Sequence, residues 1–281
     1  MGDLAKNLDD DARRIKQDRE RHALSRAIES VFFNVTKDLL SKQLKLAKEW
    51  LGQQEGELTY LKGLKHPEKS SRFRAFADQL EEVMDRLEQS YREKFRGVYN
   101  EGAARSAELA ALALPVDFTY SSGTLSALQF IEREAAALVT HVTDTTIKNI
   151  RAEIAAGVAD GETITEIGAR VDSKLGGGLA DRARNIAQTE TNKALNFGIY
   201  DSWKQSGVVQ KKGWSSSGDD LVRETHVDAD GQVVDLDSPF QVGGSALMFP
   251  GDTSLGADVA EIAACRCSMT PILVGEEVTN E

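Results

Sequence analysis

The chain holds two cysteines, and both fall in one short stretch, "AACRCSMT", as Cys265 and Cys267 with Arg266 between them. Thiols at this spacing can close a disulfide, ligate a metal or pack as small apolar groups. A disulfide between residues two apart is strained, and it is disfavoured in a reducing compartment. Zinc takes about four ligands, so two thiolates need further donors, for which His226 with Asp228 or Asp252 are the candidates. In a strand, residues two apart share a face, which sets the thiols side by side and Arg266 opposite. Because C-x-C supplies at most two thiolates, the cysteines are read as buried structural groups, with no metal and no cofactor assigned. Arg266 then turns towards a carboxylate, Glu190 or another.

Glu190 is the most informative carboxylate. Within "RARNIAQTETNKALNFGIYDSW", Ala183, Ile186, Ala187, Ala194 and Phe197 recur on one helix face, and Glu190 falls in the middle of it. A carboxylate there must be paired and hydrogen-bonded to be buried. Arg223, His226 and Arg266, all in the C-terminal part, are the expected partners, in an ion pair that locks helix to sheet. The other reading, a catalytic acid, needs a cleft and a second poised group. In "RETHVDADGQVVD", Asp230-Gly231 predicts a tight hairpin turn. That turn would place His226 across the ladder from Asp235 and on one face with Asp228. The aspartates resemble a calcium loop only superficially, because the glycine directly follows the second of them. The resulting structural network is Glu190, Arg223, His226, Asp228, Cys265, Arg266 and Cys267, with no catalytic residue among them.

These side chains need elements to hold them. Apolar residues at helical spacing predict a helix from Val35 to Leu51, which "GLKHPEKS" breaks through Gly63 and Pro67. Residues 1–30, charged and weakly patterned, read as a loose arm or a solvated helix. From Phe73 to Val98, apolar residues step by three and four while glutamates and arginines fill the other face, which predicts a long amphipathic helix. "ALPVDFTYSSGT" interrupts it. Leu128, Ile131, Leu138 and Val142, continued by Ile147, Ile150 and Ile154, predict another long helix. A short one follows, capped by Thr163 or Thr165 and ended by the glycines at 176–178. The last helix closes at Gly207. Beyond it, short β-branched segments punctuated by glycine predict a small β-rich unit.

Composition narrows the function classes. The 281 residues carry a formal net charge of −11, with 28% charged and 6% aromatic residues and 5 prolines. This suits a helix-rich globular chain long enough to bury a core. An acidic chain is poorly suited to neutralise phosphates, so contact with packaged DNA is not expected through a basic patch. No apolar run is long enough for a membrane span, and the charged N-terminus lacks the centre of a secretory signal. With so few cysteines, a reducing cytoplasm is the expected compartment. Gly2 is not followed by a Ser or Thr at position 6, so myristoylation is not expected.

Five blocks in order carry a family likeness: "RARNIAQTETNKALNFGIYDSW", "KGW", "VRETHVDADGQVVDLDSPFQVGG", "LMFPGD" and "CRC". Together they resemble the phage Mu protein F-like family of minor head, or head morphogenesis, proteins, over about residues 115–273. The matching positions include Glu190, Asn196, Trp214, Arg223, His226, Gly231, Asp252, Cys265, Arg266 and Cys267. Ala264 departs from the asparagine that the family usually shows before the first cysteine. The resemblance implies a structural virion component inside the head near the portal, present in the host cytoplasm during assembly. Its implied partners are the portal and other head proteins, and no membrane. The rival class is a nuclease or nucleotide-transferase-like effector using Glu190, Arg223 and His226. The expected fold is α+β: a helical partner-binding region over residues 1–114, then a domain over 115–281 with helices to about 207 and a β-rich part over 208–274.

Overall fold

In a computed structural model of the chain, residues 2–64 and 71–275 are described, with side chains from Lys16 onward. The fold is α+β, with long helices first and a small sheet last. Six helices come first: α1 (Gly2–Gly52), α2 (Glu55–Lys62), α3 (Ser71–Leu112), α4 (Leu125–Ala159), α5 (Ile164–Gly176) and α6 (Leu179–Ser206). Then follow β1 (Val209–Ser215), α7 (Glu224–Asp228), β2 (Val233–Asp235), β3 (Phe240–Val242), β4 (Ser245–Leu247), α8 (Val259–Ile262) and β5 (Ser268–Leu273). No helix among the described residues is long and apolar enough to cross a membrane.

The chain forms two compact units. One comprises residues 33–96 and 132–184, the other residues 1–32, 97–131 and 185–281. In the first, Trp50, Leu61, Phe76, Leu80, Ile150 and Ile154 belong to one buried cluster, with the rings of Trp50 and Phe76 4.8 Å apart. The helical stripe read from Phe73 supplies much of this core. Thr163 caps α5, accepting from the Glu166 backbone while the Glu166 carboxylate accepts from the Thr163 backbone. This reciprocal cap satisfies two N–H groups that the first turn leaves unpaired. Gly63 ends α2, and Pro67 lies outside the described residues.

The second unit holds the C-terminal strands. Strand β1 is flanked by β2 and β5, both antiparallel, with Lys211 opposite Asp235 and Trp214 opposite Met269. Strands β3 and β4 make a separate hairpin through Gly243-Gly244, both at positive φ. Among the described residues, this two-residue turn closes a hairpin, and the one expected at Asp230-Gly231 does not form. Residues 224–228 form α7 instead of a strand, so His226 does not face Asp235. Gly231 has a φ of 73° and carries the backbone out of α7 towards β2. Ser216 N–H donates to the Asp230 carboxylate at 2.7 Å, which holds that turn against the end of β1.

Two helix readings also change. Helix α1 is continuous from Gly2, and Leu24, Ile28 and Phe32 are buried, so the charged N-terminal stretch carries its own apolar stripe. On α4 the buried face begins with Ala127, Phe130 and Ile131, whereas Leu128 is 50% exposed.

Within the second unit, α3 and α6 approach closely enough for backbone contact. A Cβ on Gly198 would overlap the Ala103 carbonyl, and one on Gly102 would come within 3.4 Å of the Ala194 methyl. A glycine is required at Gly198 because its neighbour there is backbone, which cannot yield. Gly198→Ala is expected to destabilise the protein by about 1–3 kcal/mol. Gly97→Ala, at an open position on α3, should be neutral or stabilise it by up to about 1 kcal/mol. Denaturant unfolding of the two variants separates these outcomes, and equal effects would contradict the close crossing.

Candidate functional site

Helix α6 is where the family-like residues meet. From Glu190 to Trp203 its buried residues fall on every face, and Glu190, Thr191, Lys193, Asn196, Asp201 and Ser202 are polar. A helix enclosed in this way must find partners for those groups within the protein. The Glu190 carboxylate is met by the Lys193 ammonium at 2.8 Å and by a short hydrogen bond from the Tyr99 hydroxyl. Glu190 is therefore buried and paired, but with Tyr99 of α3 and its own helix, not with Arg223, His226 or Arg266. Asn196 donates to the Cys267 carbonyl at 3.1 Å, and Thr189 accepts from the Ala264 N–H at 2.8 Å. Tyr120 donates to Asp201 at 3.0 Å, and burial pushes its hydroxyl pKa up.

The cysteines lie just before β5, both buried, with the intervening Arg266 turned outward. The period-2 alternation thus holds without a strand. Both thiols are free. Residue His226, on α7, points its Nδ1 at the pair: 3.3 Å from Cys267 Sγ and 3.7 Å from Cys265 Sγ. Its Nε2 lies 3.2 Å from Glu261 Oε2, though off the axis of a straight hydrogen bond. Thr225 donates to the same Glu261 oxygen at 2.8 Å. Trp214 packs edge-on against the imidazole, its ring 5.6 Å away. A hydrogen bond from Cys265, with His226 beside it, pulls the Cys267 pKa down, and the same bond pushes that of Cys265 up.

The remaining predicted residues go elsewhere. Arg266 makes a two-pronged contact with Asp219, one arm at 2.6 Å, which holds that carboxyl below its usual pKa. Arg223 donates to the Ala263 carbonyl. Asp228 is exposed. Asp252 accepts from the Met248 and Ser254 backbones and stays out of the cysteine cluster. The proposed catalytic trio of Glu190, Arg223 and His226 is thus distributed over three different sets of partners. A cleft of about 480 Å³ borders the cysteines and is lined also by Asn192, Asn196, Ser217 and Asp219.

Sequence reasoning missed Tyr99, Asp219 and Glu261, whose roles arise from long-range contacts, and Lys193, which pairs with Glu190 three positions earlier on α6. It also missed Lys212, which is buried in β1. There its ammonium donates to the Met248 carbonyl at 2.6 Å, and burial pushes its pKa down to about 8. The departure at Ala264 acquires a physical meaning. Its φ is 52°, and among the described residues it is the non-glycine residue at positive φ. Asparagine tolerates that conformation far better than alanine does.

Residues 148–270 match the family described as "Phage Mu protein F like protein". The "Uncharacterized protein YqbB" of Bacillus subtilis (strain 168) is 38% identical over 97 residues, 33% of this chain and 31% of the relative. The "NAD(+)--arginine ADP-ribosyltransferase EFV" of Enterococcus faecalis (strain ATCC 700802 / V583) is 26% identical over 135 residues, 47% of this chain and 27% of the relative. This chain therefore spans less than a third of each of these curated relatives. No solved structure matches it.

Two stability predictions follow from this geometry. Glu190→Ala removes the buried carboxylate that accepts from Tyr99 and pairs with Lys193, and should cost about 3–5 kcal/mol in unfolding of the full-length chain. Glu190→Gln keeps an acceptor for Tyr99 and should cost less. A loss within about 0.5 kcal/mol for Glu190→Ala would contradict its burial. Ala264→Gly removes the left-handed strain on a Cβ and should raise stability by about 0.5–1 kcal/mol. A lower denaturation midpoint for that variant would show that the conformation costs nothing.

Proposed function

Starting from a chain whose residues 148–270 form a phage Mu protein F-like region, we propose that it is a minor head protein of a tailed phage, acting in head morphogenesis. The family match carries this reading, because it spans α5, α6 and the strands that hold the buried polar network. In the proposed role the protein sits inside the head near the portal vertex, binds the portal and other head proteins, and assists assembly, packaging or DNA delivery. It works in the host cytoplasm until the head is complete.

A docking surface for such a partner is supported by the α3–α4 connection. Leu112, at the end of α3, is 75% exposed, and Leu125 and Leu128, at the start of α4, are 70% and 50% exposed. Leu125 and Leu128 are three apart and share a helix face. Apolar side chains held in water at one end of two helices fit contact with another protein. The transferase activity in the name of the Enterococcus relative belongs to a protein of which this chain covers 27%, and it is not carried across. The effector reading through Glu190, Arg223 and His226 has no geometric support, since each side chain is held by different partners.

Mass spectrometry of purified phage heads tests the proposal. The wild-type chain should co-purify with heads and procapsids in few copies. The full-length variant Leu125→Asp/Leu128→Asp should remain folded but be lost from both. Absence of the wild-type chain from heads would overturn the structural role, and normal incorporation of the variant would overturn this docking surface.

A further inference from the structure

We infer that His226 Nδ1 and the thiolates of Cys265 and Cys267 form a zinc site, completed by water from the adjacent cleft, that clamps α7 to the segment entering β5. This departs from the sequence-based expectation of no metal, which counted two thiolates and had no evidence that a histidine joined them. The three donor atoms all lie within 4.8 Å of one another, and all three residues are buried. Zn–S bonds of about 2.3 Å and Zn–N bonds of about 2.0–2.1 Å in a tetrahedron separate neighbouring ligand atoms by about 3.3–3.8 Å. The two nitrogen–sulfur separations here are 3.3 and 3.7 Å. Both nitrogen–sulfur separations therefore match those of ligands around one zinc ion.

The convergence is hard to explain by hydrogen bonding alone. Two sulfurs approach one and the same ring nitrogen, and a nitrogen with a single proton or a single lone pair serves one of them well. A cation accepts both. The opposite edge of the imidazole faces a carboxylate, with Nε2 3.2 Å from Glu261 Oε2, off hydrogen-bond alignment, and that carboxylate held by Thr225. A small rotation of the ring or carboxyl group would bring the two into a hydrogen bond. A carboxylate on the far nitrogen fixes the ring and leaves the near nitrogen's lone pair free for the metal. Glu261 itself is 8% exposed and lies over Gly243, where any Cβ would overlap its carboxyl group. The backbone at that turn is therefore shaped around the group that orients the histidine. The cysteines border the cleft lined by Asn192, Asn196 and Ser217, which can supply the fourth, solvent ligand.

Zinc bound here stabilises the folded state, because the unfolded chain holds no preformed site. Full-length protein purified without chelators should contain about one zinc per chain by elemental analysis. Replacing it with cobalt should produce the visible bands of a tetrahedral ion and a thiolate-to-metal charge-transfer absorption, which report the ligands without any substitution. Glu261→Gln should weaken zinc binding by about 10–100-fold while the charge-transfer band survives at saturating metal. Cys265→Ser/Cys267→Ser should lose both metal and band. Wild-type protein that contains no zinc and binds neither added zinc nor cobalt would overturn the proposal. So would zinc content unchanged in the double cysteine variant.

Discussion

A carboxylate inside a protein costs several kcal/mol to desolvate unless its charge is met there, and Glu190 is met by Tyr99 and Lys193. Much of the second unit depends on how that is achieved. Tyr99 reaches Glu190 because α3 and α6 come close enough for backbone contact, and Gly198 and Gly102 permit that approach. Lys193 in turn lies against Gly251, whose φ is 89° and where a Cβ would come within 3.2 Å of the Lys193 backbone. The buried pair thus links α3 to α6, and the backbone of Lys193 packs against the loop after β4. Each glycine in the arrangement has a definite steric reason.

The same helix governs the C-terminal segment through its other polar groups. Thr189 holds the backbone at Ala264, where the chain takes a left-handed conformation, and Asn196 holds it again at Cys267. Between those two tethers the backbone alternates, so both thiols face inward towards His226 while Arg266 faces Asp219. The positions that carry the family likeness therefore form one mechanical sequence, from α6 to the turn before β5 and from there to α7. They act as a scaffold.

Much of this was legible in the sequence, and the failures have physical causes. The stripe from Phe73 and the cap at Thr163 are local patterns, and local patterns survive folding. The burial of Glu190 was also readable, because its neighbours at helical spacing are apolar. Its partner was not, since Tyr99 lies 91 residues away and nothing in periodicity links them. The hairpin was assigned to Asp230-Gly231 because β-branched residues flank that pair, but "RETHVD" closes into a short helix once Arg223 and Thr225 find partners at Ala263 and Glu261. Gly243-Gly244 carried the equivalent signal and was passed over. His226 was named as a candidate partner of the cysteines, whereas Glu261 was missed, because "DVAEIAAC" offers no periodicity that marks a buried carboxylate.

The central claim is that the hydroxyl of Tyr99 and the carboxylate of Glu190 form one energetic unit that binds α3 to α6. A double-mutant cycle of Tyr99→Phe and Glu190→Gln, read by denaturant unfolding of the full-length chain, measures that coupling directly. The account predicts an interaction energy above about 1 kcal/mol, within the range seen for residues in direct contact. Effects that add to within about 0.3–0.5 kcal/mol, as for distant and independent sites, would contradict it.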